Sequence, residues 1–166
     1  LSIIVPSMAK KEQRKQNVFP DGTPISEWFL QTKVVHPDSL GKKYDLSDYG
    51  IESNPHIVQT QKIQKIIDEA AANGGGVIYI PEGIYKSGSL FFKQGTHLYL
   101  SKGATLLGSE NIMDFPLLMT RIEGEYCKYF GALINADGLD TFTISGKGTI
   151  DGNGTPYWKA FRLRRE

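Results

Sequence analysis

Val77-Ile78-Tyr79-Ile80-Pro81-Glu82-Gly83-Ile84-Tyr85-Lys86-Ser87-Gly88 recurs without gaps as His97-Leu98-Tyr99-Leu100-Ser101-Lys102-Gly103-Ala104-Thr105-Leu106-Leu107-Gly108. A third copy is Thr141-Phe142-Thr143-Ile144-Ser145-Gly146-Lys147-Gly148-Thr149-Ile150-Asp151-Gly152. Each copy is a strand, a Gly-containing turn and a second short strand. Bulky apolar residues alternate with Tyr or Thr, the two-residue period of a strand with one face buried. The copies start 20 and then 44 residues apart, roughly one and then two turns of a coil of 20-odd residues, which marks a stacked repeat. One coil cannot bury its inward face alone; a neighbour stacked on it can. The pattern therefore predicts an all-β chain, a right-handed parallel β-helix. Ile78, Ile80, Leu98, Leu100, Phe142 and Ile144 should point inward in rows. A β-sandwich or meander with Gly turns is the competing architecture. Three ungapped copies argue against it, because hairpin loops rarely keep one length.

Upstream, Asn54-Pro55 reads as an N-cap with Pro at the first helical position. Ile57, Ile63, Ile66, Ile67, Ala70 and Ala71 recur at helical spacing, and Asn73-Gly74 stops the helix. A helix over about 55–72 is expected to cap the open end of the first coil. Residues 17–54 read as an irregular extension packed on the stack, with a turn at Phe19-Pro20-Asp21-Gly22. Residues 55–166 read as the capping helix and first coils, incomplete at the C-terminal end. Between the second and third copies, Ala132–Ala136 looks like a strand and the remainder like a long loop excursion from a coil.

The formal net charge of +1 supplies no broad field for nucleic acid. The basic runs Lys10-Lys11, Arg14-Lys15 and Arg162, Arg164, Arg165 sit at the two ends. No apolar run is long enough to span a membrane. Leu1–Val5 followed by Pro6-Ser7-Met8-Ala9 resembles the end of a secretory signal peptide. Residues 1–16 are thus expected to be a signal remnant or a disordered N-terminus, and the protein secreted or periplasmic. Cys127 is the sole cysteine, so it forms no intrachain disulfide and reads as a packed thiol. His36, His56 and His97 stand at no metal-ligand spacing, and no metal or cofactor is expected.

The run Ala70-Ala71-Ala72-Asn73-Gly74-Gly75-Gly76 through Tyr85, with Ser87–Leu90, Gly103–Ser109 and Asp114-Phe115-Pro116, resembles the opening of the polygalacturonase family of glycoside hydrolases. The resemblance continues through Ala132–Ala136, Ile144–Gly154 and Tyr157-Trp158, and Asp48-Tyr49-Gly50 is similar to the family's Asp-Phe-Gly entry. Roughly two thirds of the chain is covered. The Gly-Gly-Gly segment is shared by many pectin-active β-helices; Gly146–Gly154 with Trp158 is the more specific run. The chain departs at Glu52–His56, where the family has Gly-Asp-Gly and Asp-Thr. It also lacks the family's Asn-Thr-Asp, Asp-Asp, Gly-His-Gly and Arg-Ile-Lys motifs, which lie downstream of the matched region.

The resemblance implies a pectin-lyase-like β-helix, a pectic or galacturonate substrate and an inverting hydrolysis. The last needs an acid and a base about 6.5–9.5 Å apart. Asp68-Glu69, Glu123, Glu125, Asp137, Asp140 and Asp151 show no such pairing, so no catalytic residue is assigned in this chain. Tyr157 and Trp158, then Tyr126, are candidates for stacking on sugar rings. Arg121 and Lys128 are candidates for pairing with a substrate carboxylate. Tyr157, Trp158 and Arg121 form the candidate substrate-binding set. A non-catalytic polysaccharide-binding or structural β-helix and a pectate-lyase-like enzyme remain alternatives.

Overall fold

The computed structural model describes residues 18–30 and 35–163. Segment 1–16, read above as a signal remnant or disordered N-terminus, lies outside these residues, as do Arg164 and Arg165. The chain divides into two compact units, Leu1–Lys33 and Val34–Glu166. Within the first, Phe19 and Gly22 close the expected turn, the Gly22 amide donating to the Phe19 carbonyl at 2.9 Å. A 3₁₀ turn follows at Glu27–Leu30.

The second unit is a parallel β-helix with three strand-bearing sides. The first side stacks β1 (Lys43–Asp45), β3 (Gly76–Ile80), β6 (Thr96–Leu100) and β11 (Ile144–Gly146) in that order. The second stacks β2 (Asn54–Val58), β4 (Gly83–Ser87), β7 (Ala104–Gly108) and β12 (Thr149–Asp151). The third pairs β5 (Leu90–Phe91) with β10 (Ile134–Asn135). All these pairings are parallel.

The register builds rows of like residues. Tyr44, Ile78, Leu98 and Ile144 are successive partners on the first side. Tyr85, Leu106 and Ile150 are partners on the second. Ile78, Ile80, Leu98 and Leu100 are buried, as expected. Phe142 is half-buried against Phe92, ring centroids 4.9 Å apart. Ile144 departs from the expectation: it is 46% exposed, while its partner Leu98 is 1% exposed. Among the described residues no rung lies on its far side, so half of its cover is missing.

The spacing of 44 residues between the second and third copies corresponds to one turn, not two, because β11 pairs directly with β6. The extra chain forms an antiparallel hairpin, β8 (Leu117–Ile122) and β9 (Glu125–Phe130). Its two-residue loop has Glu123 at φ 52° and Gly124 at φ 95°, the positive-φ pair that matches strand twist in a tight hairpin. The first rung, Lys43–Asp45, belongs to the stretch read as irregular. Three residues are too few to show a period, and only pairing with β3 reveals the strand.

The helix starts later than the sequence suggests. α1 spans Thr60–Ala72, and Asn54-Pro55 belongs to β2. The Asn54 side chain accepts from the His56 amide at 2.8 Å, a local turn rather than a helix cap. Pro55 is tolerated because β2 is the edge strand of its sheet and its register is irregular there. Ile57 is therefore exposed, whereas Ile63, Ile66, Ile67 and Ala70 join the core. The helix ends as expected: Gly74 has φ 91° and the Gly75 amide donates to the Ala70 carbonyl at 2.8 Å. Gln64 on α1 bonds both backbone groups of Phe91, accepting from its amide at 2.8 Å and donating to its carbonyl at 2.9 Å. This side chain satisfies the edge of β5 not used by β10.

Burial makes Ile67→Ala expensive and Ile57→Ala cheap. Urea unfolding should show a loss of about 2–5 kcal/mol for Ile67→Ala and less than about 0.5 kcal/mol for Ile57→Ala. Equal losses would mean that the helix begins at Asn54 and buries Ile57.

Candidate functional site

The third copy leads straight into the candidate site. Asp151 accepts from the Asn153 amide at 2.8 Å, and the Asn153 side chain donates to the Gly108 carbonyl at 3.1 Å. Asn153 itself sits at φ 49°, a conformation Asn tolerates because its side chain bonds locally. This anchored turn launches α2 (Thr155–Leu163), with Pro156 in its first turn, where a missing amide is harmless.

Tyr157 on α2 donates its hydroxyl to the Ser109 carbonyl at 2.6 Å. Burial, then the nearby Asp114 and Glu110 carboxylates, push its pKa up, so the phenol stays a donor. One edge of the ring thus ties α2 to the end of β7. Trp158 is 64% exposed and meets Phe161 edge to face, centroids 6.1 Å apart. Tyr157, Trp158 and Phe161 line an open cleft of ≈ 300 Å³ with Gly154 and Tyr129. Arg121 is not in that cleft. It lies on β8, where its Nε donates to the Gly124 carbonyl at 3.2 Å. The structure brings Tyr157 and Trp158 together, leaves Arg121 on the hairpin, and adds Tyr129 and Phe161. The sequence offered no signal for Tyr129 beyond its place among neighbouring aromatics.

A larger cavity of ≈ 850 Å³ lies between the hairpin and the third side, walled by Phe91, Phe92, Leu118, Tyr129 and Phe130, with Asn135 and Asp137. The Asn135 amide is occupied: it donates to the Leu90 and Ala132 carbonyls at 3.1 and 2.7 Å and accepts from the Ala132 amide at 3.0 Å. The rest of the wall is mixed, with Leu118, Met119 and Ile122 beside the aromatic rings and Thr120 and Asp137 as polar groups.

Several carboxylates are engaged in holding the fold. Asp68 pairs with Lys93 at 2.8 Å, and Lys93 with Gln64 holds its pKa down. Glu110 pairs at 2.9 Å with Lys86, which lowers its pKa. For Asp45, burial acts upward, but hydrogen bonds from Ser47 and Lys43 outweigh it and the pKa falls. Asp114 accepts from the Ser109 hydroxyl, and Glu69 from the Tyr49 hydroxyl at 2.8 Å. A general acid needs a raised pKa; Asp45, Asp68 and Glu110 are shifted the other way. Among the described residues no group of three or more His, Cys, Asp or Glu gathers to hold a metal.

No family model matches the chain. It is 34% identical over 152 residues to an exo-poly-alpha-D-galacturonosidase of Dickeya chrysanthemi, covering 87% of this chain and 24% of that protein. It is 37% identical over 129 residues to a plasmin and fibronectin-binding protein A of Streptococcus pneumoniae, covering 75% of this chain and 17% of that protein. Its fold superposes on a solved family 28 exopolygalacturonase of Yersinia enterocolitica with a TM-score of 0.60 and 33% identity, over 68% of this chain and 21% of that one. The chain thus spans about a quarter or less of the length of these relatives.

The lowered carboxylate pKa values have a consequence for stability. Asp45, Asp68 and Glu110 bind protons less readily in the folded chain than in the unfolded one. Their contribution is present above the ordinary carboxylate range and is lost as pH falls through the folded values. The thermal midpoint should therefore drop as pH is taken below about 4.5. The drop should be shallower in an Asp68→Asn, Glu110→Gln double variant. An identical pH profile for the double variant would show that these pairs do not set the acid limb.

Proposed function

We propose, for a chain that belongs to the polygalacturonase family of glycoside hydrolases, that it forms the opening coils of a pectin-degrading enzyme that hydrolyses galacturonosyl linkages. The match to the Dickeya galacturonosidase over 87% of this chain carries the reading. Inverting hydrolysis needs a general acid and a water-activating base on opposite faces of the bond. Asp45, Asp68, Glu69, Glu110 and Asp114 instead brace the fold. The proposal accordingly assigns scaffold and substrate contacts to this chain, and the acid–base pair to carboxylates beyond Glu166. Trp158, exposed beside Tyr157, offers a flat apolar surface for a pyranose ring. Tyr157 positions that surface through its bond to Ser109. A polymeric pectic substrate is met outside the cytoplasm, so the protein is assigned to a secreted or periplasmic location.

The match to the pneumococcal protein favours one second reading, a β-helix that binds a partner without catalysis. Reducing-sugar release from polygalacturonate and from rhamnogalacturonan separates the two. The 166-residue chain alone should release none, and the natural gene product that carries it should release sugar from polygalacturonate. Turnover by the chain alone would overturn the placement of the acid–base pair. Inactivity of the whole product on both polymers would favour the binding reading.

A further inference from the structure

The hairpin β8–β9 carries two cations and two anions, Arg121, Lys128, Glu123 and Glu125, and looks neutral as a string. Its register sorts them. Directly opposite residues in an antiparallel pair share a face, and successive residues alternate faces. Leu117 with Phe130, Met119 with Lys128, and Arg121 with Tyr126 therefore occupy one face. Leu118 with Tyr129, Thr120 with Cys127, and Ile122 with Glu125 occupy the other. Leu118 and Cys127 are the only half-buried hairpin residues, and both lie on the second face. The first face is the more exposed of the two, although Phe130 at its base also walls the cavity toward the third side, and it presents Arg121 and Lys128 without an acid among them, since Glu123 sits in the loop.

Among the described residues no ion pair involves Arg121 or Lys128. Arg121 is held by a single bond, from its Nε to the Gly124 carbonyl at 3.2 Å. That bond orients the guanidinium and leaves both terminal Nη groups to donate in parallel, the arrangement that grips a carboxylate bidentately. Tyr126, opposite Arg121, is 79% exposed. Lys128 stands diagonally from Arg121 on the same face, at roughly 7–8 Å along the backbone. An exposed ring flanked by two unpaired cations suits a ligand that alternates flat apolar ring faces with carboxylates.

We propose that the more exposed face of this hairpin, with Arg121, Tyr126 and Lys128, is a binding site for a uronate oligosaccharide. Tyr126 stacks on a pyranose, Arg121 takes one carboxylate through its terminal nitrogens, and Lys128 meets a neighbouring one as a point charge. The substrate class rests on the pectic reading above. The site is separate from the α2 cleft, which Arg121 and Tyr126 do not line, and it serves retention of an acidic chain rather than bond cleavage.

Titration calorimetry of the protein with an oligogalacturonate, its methyl ester and poly-glutamate tests the site. The oligogalacturonate should bind, the ester about tenfold more weakly, and binding should fall with added salt. Arg121→Ala and Lys128→Ala should each weaken binding by about tenfold. Arg121→Lys should recover only part of the loss, because it restores charge without the fork. Tyr126→Phe should bind like the parent and Tyr126→Ala more weakly. Glu125→Gln, on the opposite face, should not weaken binding. All positions are exposed, so the circular dichroism spectrum should stay constant across the set. Oligogalacturonate binding that survives Arg121→Ala with Lys128→Ala would overturn this site and leave the pectic reading standing. Poly-glutamate binding as tightly as oligogalacturonate would overturn the sugar assignment in favour of an acidic peptide. Absence of oligogalacturonate binding would overturn the site, and sugar release by the whole gene product would then report separately on the pectic reading.

Discussion

In-register stacking of one rung on the next is the constraint on which this structure depends. Tyr44, Ile78, Leu98 and Ile144 are partners in successive strands, so each inward side chain is covered by its counterparts along the stack. The same register pairs backbone groups on both edges of every interior strand. Burial follows cover from both sides rather than residue type: Tyr44, on the first rung, is 1% exposed and has the Tyr49 ring of the adjoining 3₁₀ turn stacked 6.5 Å from its own. Leu98, with a rung on each side, is 1% exposed, and Ile144, with one, is 46% exposed. Cover of a side chain of this size is worth roughly 1.5–3 kcal/mol, so each neighbour in a row stabilises the next.

Close stacking also explains where glycine is needed. At Gly146, φ is 106° and a Cβ would collide with the Leu100 backbone of the rung beneath. At Gly88, a Cβ would strike Asp114, whose backbone carbonyl accepts from the Ser89 amide at 3.2 Å. Coils approach one another here at backbone distance. The regular coil therefore has little room for functional side chains. Those that could face a ligand stand on material outside the rungs, the β8–β9 hairpin and α2.

That division bears on function. Several polar groups of the stack are engaged within it: Gln64 closes the edge of β5, Lys86 pairs with Glu110, and Ser109 bonds Asp114, whereas the buried hydroxyls of Tyr44, Ser89, Ser101 and Ser145 and the His97 Nδ1 find no hydrogen-bond partner among the described residues. The aromatic cleft at Trp158 and the cationic face at Arg121 are instead open to solvent. The rungs thus supply the scaffold, and the surfaces open to a ligand stand on its excursions.

Much of the fold was legible because a two-residue period repeated without gaps is a direct imprint of stacking. Ile78, Ile80, Leu98 and Leu100 could be placed inward from alternation alone, and Ile63, Ile66, Ile67 and Ala70 from helical spacing. What the sequence could not convey depended on pairing between distant segments. Lys43–Asp45 is too short to show a period and becomes a strand only beside β3. Asn54-Pro55 carries a helix-start signal, but β4 supplies a partner that makes it an edge strand. The same holds for the candidate sites. Tyr157 and Trp158 could be named from their residue types, yet only the fold sets Tyr129 and Phe161 beside them and leaves Arg121 elsewhere. The charges of 121–128 sum to nothing in one dimension; strand pairing alone separates Arg121 and Lys128 from Glu125, because opposite residues share a face and neighbours in sequence do not.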